Sequence, residues 1–249
     1  MLVDSYTVRP ADMYIHLAAD ETVRHVTLSS LKEPKLRYAR RFITQRSHGL
    51  HPSAEYFKEE RFETPEGDYC NVRFDRTALC GVTGGVRTVF DAVKHAVFDA
   101  EIVLSEASGN ITIREDDFMD DLDNFSQMRL VAQTACGVPV ENNLVHFSEL
   151  VDDSCALAMA DFVDEDERFP YRPMERIRRD ATAIALITSH KEPAESAEPV
   201  VVLTRWTFTR IHATELNVPT QTLRAMRDVS ISDVIRNCVK ETLEVNLPQ

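Results

Sequence analysis

Between Ile111 and Ile211 the chain reads as strand after strand, with no convincing helix among them. In SQMRLVAQTA one side carries Met128, Leu130, Ala132 and Thr134, and PVENNLVHFSELV contributes Val140, Leu144, Val145 and Phe147. CALAMADFV adds Cys155, Leu157, Met159 and Val163. In ATAIALITSH, Ile184 and Leu186 face one way while Ala181, Ala183, Ala185 and Ile187 face the other. PVVVLTRWTFTRIH sets Val202, Trp206 and Phe208 opposite Leu203 and Ile211. A period of two marks half-buried strands. Strands that follow one another without a helical crossover pair antiparallel. The polar stretch KEPAESAE, residues 191–198, reads as a hairpin loop, and DEDERFPYRPMERIRRD as a longer connection stiffened by Pro170 and Pro173.

The flanks add the other elements. EYFKEERFET, the turn Pro65-Glu66-Gly67 and DYCNVRFDRTAL form a hairpin. After Gly81 and Gly84-Gly85, one helix is predicted from Val86 to Ser105, with Val89, Phe90, Val93, Val97, Phe98 and Leu104 at threes and fours, ended by Ser108-Gly109-Asn110. Thr220 caps a second long helix running to about Val245, whose apolar face is Leu223, Met226, Ile231, Val234, Ile235, Cys238, Val239 and Leu243. Near the N-terminus a helix is plausible only from Leu31 to Ile43, with its basic residues outward. The expected class is α+β: a curved antiparallel sheet around a long C-terminal helix. Residues 1–50 form a partly helical extension and residues 51–249 the domain.

Composition narrows the function classes. The formal charge of −13 argues against a free-standing nucleic-acid binder, because phosphate neutralisation supplies most of that affinity. The charge is uneven: Lys32, Lys35, Arg37, Arg40, Arg41 and Arg46 form a basic stretch, and Asp116–Asp123 and Asp161–Glu167 form acidic runs. These read first as solvated loops and a charged helix face, and otherwise as a docking surface for an anionic partner. The five cysteines have wide spacings and no CxxC pair, which fits reduced, mostly buried thiols. No apolar run is long enough to span a bilayer, and the first residues lack the pattern of a secretory signal. The cytosol or nucleus is the expected compartment.

No Walker A loop, GxGxxG, HExxH or GxSxG occurs, and Thr83-Gly84-Gly85 is too short to cradle a phosphate. The loop pair His48 and His51 has no Cys or carboxylate partners at metal-ligand spacing. Polar residues set among apolar strand positions are Arg73, Arg129, His146, Glu149, Arg178 and Arg205. Most such arginines sit on the wet face of a sheet. One that faced inward would demand a partner, and a polar ligand head group could serve. Trp206 reads as core rather than as a ligand platform. His146 and Glu149 are the only local acid–base pair, and alternation puts them on opposite faces.

EYFKEERFETPEGDYCNVRFD, VRTVFDAVKHAVFDAEIVLSE, GNITIREDD, DEDERFPYRPMERIRRDAT and VVVLTRWTFTRI together resemble a family of oomycete proteins. These carry a START-like, or helix-grip, domain; some are labelled mating-specific, and some place the domain after a basic leucine zipper. The resemblance covers roughly four-fifths of the chain, from about Glu55 onward. It implies a non-catalytic module holding a lipid or other apolar small molecule between the sheet and the C-terminal helix. It implies no cofactor and no metal. The candidate lining is Arg73, Met128, Arg129, Leu130, Phe147, Leu157, Met159, Trp206, Phe208, Met226 and Ile235. The stretch Leu31–Arg46 lacks both a basic region and leucine heptads, so direct DNA binding is not implied. The alternative is a regulatory protein-interaction domain whose cavity is filled by side chains, linked to transcription or signalling. An enzyme of the aromatase/cyclase kind is a third class, and it would need acid–base groups converging in the cavity.

Overall fold

The computed structural model describes residues 13–51, 54–120, 125–190, 199–228 and 231–243. The elements run β1 (His16–Leu17), α1 (Glu21–Arg46), β2 (Tyr56–Glu63), β3 (Tyr69–Leu79), α2 (Gly85–Phe98), α3 (Ala100–Ser108), β4 (Thr112–Asp120) and β5 (Phe125–Gln133). They continue with β6 (Pro139–Asp152), β7 (Cys155–Phe162), β8 (Glu165–Asp166), β9 (Ile177–His190), β10 (Val200–Ile211), α4 (Thr220–Asp228) and α5 (Ile231–Thr242).

Eight strands form one curved sheet in the order β2-β3-β10-β9-β7-β6-β5-β4. Successive neighbours are antiparallel, as the strand run predicts; a two-residue parallel contact joins β6 to β9, and β1 pairs parallel with β8. The predicted hairpin β2–β3 is present, with Phe62 opposite Cys70. β10 returns to pair with β3 along its length. The chain must therefore travel from β3 to the far edge strand β4, and α2 and α3 make that journey across one face. Gly84 sits at the start of α2 at φ 86°, where only glycine is comfortable. The single helix expected over Val86–Ser105 is two helices that meet at Asp99, whose φ and ψ of −95° and 24° leave the helical region; the second ends at Gly109, φ 67°.

Both faces of the sheet are covered. On one, Val86, Val89, Phe90 and Val93 of α2 pack with Leu79, Ala156, Ala158, Ile187, Val201 and Leu203, joined by Val239 of α5. On the other, Leu28, Leu36, Ala39, Phe42 and Ile43 of α1 pack against Phe74, Phe147, Leu157, Met159, Ile184 and Trp206. Phe42 meets the Trp206 indole edge-on with ring centroids 5.0 Å apart.

Helix α1 starts at Glu21, ten residues before the stretch the periodicity supports, because Asp20 caps it by accepting from the Val23 amide at 2.9 Å. It runs through Pro34, which lies on the exposed side. Two cations interrupt its buried stripe and hide its period. Arg24 donates to both oxygens of Asp166 at 2.9 and 2.6 Å, and Lys35 Nζ lies 2.5 Å from Asp161 Oδ2; all four side chains are almost wholly buried. Asp161 also accepts from Thr182, and Asp166 from Asn143 and the Arg168 and Phe169 amides. Lys35 is therefore not on the outer face, and the run Asp161–Glu167, expected as solvated, supplies the buried carboxylates that hold α1 to the sheet.

The second correction concerns strand arginines, expected mainly on a wet face. Arg73, Arg129 and Arg205 are buried, each against carboxylates of the protein itself. The C-terminal helix expected from Thr220 to about Val245 is described as α4 and α5; residues 229–230 and 244–249 lie outside the described residues. The loop at 191–198 lies outside them too, as do residues 121–124 of the first acidic run.

Candidate functional site

A cavity of about 130 Å³ lies between the sheet and α2, α3 and α5. Its floor follows from the strand register. One rung runs His146–Ala160–Ala183–Thr207–Arg73 across β6, β7, β9, β10 and β3, and the next runs Ser148–Ala158–Ala185–Arg205–Asp75. Side chains directly opposite across antiparallel strands share a face. The middle of both rungs is alanine, so this part of the floor lacks the height that Val or Ile would give it. Val93 and Val97 of α2, Leu104 of α3, and Ile231 and Ile235 of α5 form the roof. They cannot descend into the gap, because α2 already rests on the taller residues Leu79, Val201 and Leu203 at its start.

The trough has polar ends. At the β10–β3 end, Arg205 Nε and Nη2 donate to Asp75 at 2.9 and 2.6 Å. Arg73 pairs with Asp233 of α5, and Arg236 lies 3.2 Å from the same carboxylate. Burial pulls the Arg205 guanidinium below its ordinary pKa, with the Asp75 carboxylate opposing that shift. The Arg73–Asp233 pair ties α5 to the sheet. At the β6 end stands His146, with 7% of its surface exposed. Its Nε2 is buried and has no hydrogen-bond partner among the described residues. Burial, and secondarily the Lys94 ammonium, pushes its pKa down to about 4, so the imidazole is neutral at pH 7. Three strand steps separate His146 from Thr207, about 14 Å by the usual strand spacing.

The candidate lining residues divide between the two faces. Met128, Leu130 and Ile235 line the cavity, and Met159 and Phe208 border it while also packing with the α1-side cluster. Phe147, Leu157 and Trp206 lie in that cluster, under α1. Arg73 is engaged by Asp233, and Arg129 by Glu115 and Glu141. Met226 of α4 packs on Val140, Ile177 and Ile211, away from the cavity. Glu149 is exposed on the face opposite His146, so the pair does not converge. The floor alanines are missing from the expected lining. Their signal is the period-two alanine in CALAMA and ATAIA, which marks a strand face too low to fill a core by itself.

No protein-family model matches the chain, and no curated protein matches it. Among solved structures it is similar to human StAR-related lipid transfer protein 5, at 12% identity over 87% of this chain and 98% of that one, with a TM-score of 0.47. It is similar to a STAR-related lipid transfer protein fragment from Xanthomonas axonopodis, at 14% identity over 75% of this chain and 98% of that one, TM-score 0.39. It is also similar to Ara h 8.0201, at 7% identity over 70% and 99% of the two chains, TM-score 0.34.

Proposed function

We propose that this chain is a non-catalytic, START-like binding module of the kind the oomycete resemblance implies, holding an apolar small molecule between the sheet and α2, α3 and α5. The observation that carries the reading is the alanine-floored cavity with a roof of valine, leucine and isoleucine. Ligand sites are concave and mostly apolar, with a few placed polar groups. The carboxylates and guanidiniums at one end are committed to each other, and among the described residues no acid–base pair converges on the interior.

The cavity is smaller than the roughly 300–1,000 Å³ of drug-sized ligand pockets. It is close to the roughly 150 Å³ apolar cavity known to accept a benzene ring. A ring-sized ligand enters the observed state, and a lipid requires the roof to move. The part of the roof best able to move is α5, in which Val239 is the one buried residue among those described. Segments with little buried apolar surface open first.

Native mass spectrometry of the purified chain, followed by solvent extraction, tests the proposal. A co-purifying apolar molecule, or uptake of added ring-sized ligands, is the expected result; a protein that takes up neither has no ligand function. The small volume also favours a second reading, a regulatory interaction domain with a closed interior, and that negative result would select it.

A further inference from the structure

At its β10–β3 end the apolar cavity borders a second space. A cleft of about 360 Å³ opens between the β2–β3 hairpin and α5, with Phe57 and Asp75 on the hairpin side and Arg236 and Lys240 on the helix side. Arg236 lines the apolar cavity as well, so this one side chain stands between the two spaces. Phe57 is 57% exposed and gives the cleft an apolar wall.

The charges around the cleft are unequal. Arg205 is matched by Asp75, and Arg73 by Asp233. Arg236 has only a share of Asp233, at 3.2 Å. Lys240 makes no ion pair among the described residues, and neither does Glu55 on the rim. Arg76 also borders the cleft and donates to the His51 carbonyl. Even with Arg76 left aside, the four cations Arg73, Arg205, Arg236 and Lys240 meet the three carboxylates Asp75, Asp233 and Glu55, which leaves one positive charge over. Arg236 and Lys240 stand four residues apart on α5, a spacing at which like charges repel. Burial first, and then the Arg236 and Arg205 guanidiniums, pull the Lys240 ammonium below its ordinary pKa, with Asp75 and Glu55 opposing them. A surplus of cations gathered in a concave site, on a chain whose net charge is −13, points to an anion from outside. One surplus charge matches a monoanion, whereas a phosphate monoester would bring close to two.

We propose that the cleft and the cavity together hold an amphiphilic monoanion, of which a carboxylic acid is the simplest: its carboxylate lies between Arg236 and Lys240, and its apolar body reaches past Arg236 onto the alanine floor. The inference rests on the binding-module reading and adds the chemical class of the ligand. Arg236 and Lys240 set the preference for charge, and the Arg73–Asp233 and Arg205–Asp75 pairs hold the wall between the two spaces.

The test titrates 3-phenylpropanoate and 3-phenyl-1-propanol into the whole chain by calorimetry at neutral pH. The two share ring and chain and differ in charge; acetate and inorganic phosphate serve as anions without an apolar body. The acid is expected to bind more tightly than the alcohol. Lys240→Gln lowers the acid-to-alcohol affinity ratio by about threefold or more, and Glu55→Gln, which removes a competing carboxylate from the rim, raises it. A ratio that neither substitution moves, with both probes bound, overturns the head-group site and leaves the cavity reading standing. Failure of acid and alcohol alike to bind overturns the two together. Acetate or phosphate binding as tightly as 3-phenylpropanoate overturns the proposal in favour of a site for free anions. Ala183→Leu, which fills the floor, abolishes binding of acid and alcohol together; an acid that still binds this variant unchanged uses the cleft alone, and the proposed bridge between the two spaces falls.

Discussion

Replacing Ala183 by leucine puts three more carbons onto the cavity floor, between Ala160 on β7 and Thr207 on β10. An empty volume of about 130 Å³ corresponds to about 3 kcal/mol of lost stability at roughly 24 cal/mol per Å³. Burying the added carbons returns about 2 kcal/mol at roughly 0.8 kcal/mol each. Fixing the leucine rotamer costs about 0.5–1 kcal/mol. The net expectation is a gain of about 1–2 kcal/mol, or several degrees in Tm at roughly 2–4 °C per kcal/mol for a chain of this size. The control is Ala39→Leu in α1, where the alanine is fully buried in the largest cluster; overpacking there costs about 1–3 kcal/mol. Urea denaturation of the two variants beside the original protein reads the difference. Toluene binding disappears in Ala183→Leu, because the leucine occupies the ligand's place. A loss of stability in Ala183→Leu equal to that in Ala39→Leu would refute the reasoning, since it would mean the floor is already packed.

Lys35→Ala leaves Asp161 buried without its cation and is expected to destabilise by about 3–5 kcal/mol, read as a lower urea midpoint; a change within about 0.5 kcal/mol would show that α1 is not held by this pair. His146 is depressed from 6.5 to about 4 in the folded state, so the unfolded chain takes up its proton first as pH falls. Its stabilising contribution is complete above pH 6.5 and is lost between pH 6.5 and 4, by about 3 kcal/mol in total. The difference in unfolding free energy between the original protein and His146→Leu therefore changes over that window and is flat above it; Asp166, whose pKa is also lowered, titrates in both proteins and cancels. Hydrogen exchange is expected to be fastest among the helices in α4 and α5, which bury little, and slowest in α1 and α2, whose inner faces are buried against the sheet. Protection of α5 equal to that of α2 would remove it as the moving wall.

The strands were legible because each alternates, and alternation is a local property that any stretch of chain displays by itself. The two-sided apolar pattern of β9, with Ile184 and Leu186 on one face and Ala181, Ala183 and Ile187 on the other, already required cover on both faces. Which helix covers which face was not legible. Of helix α1 only Leu31–Ile43 was legible; its first ten residues were missed, and Arg24 stands there where an apolar residue would extend the period, with its carboxylate 142 residues away. The cavity residues were half legible: Met128, Leu130 and Ile235 are apolar residues on a predicted inner side, whereas Phe147, Leu157 and Trp206 share that character and belong to the other face.

By itself the sequence determined the antiparallel strand run, the β2–β3 hairpin, the helical segment after Gly85 and the apolar stripe near the C-terminus, since local periodicity and turn chemistry decide these before any long-range contact forms. Only the tertiary structure decided that β10 returns to β3, that α1 closes the second face through buried ion pairs, and that two rows of alanine face a roof that cannot reach them. A cavity is a mismatch between surfaces far apart in the chain, so no stretch of residues carries it until packing brings those surfaces together.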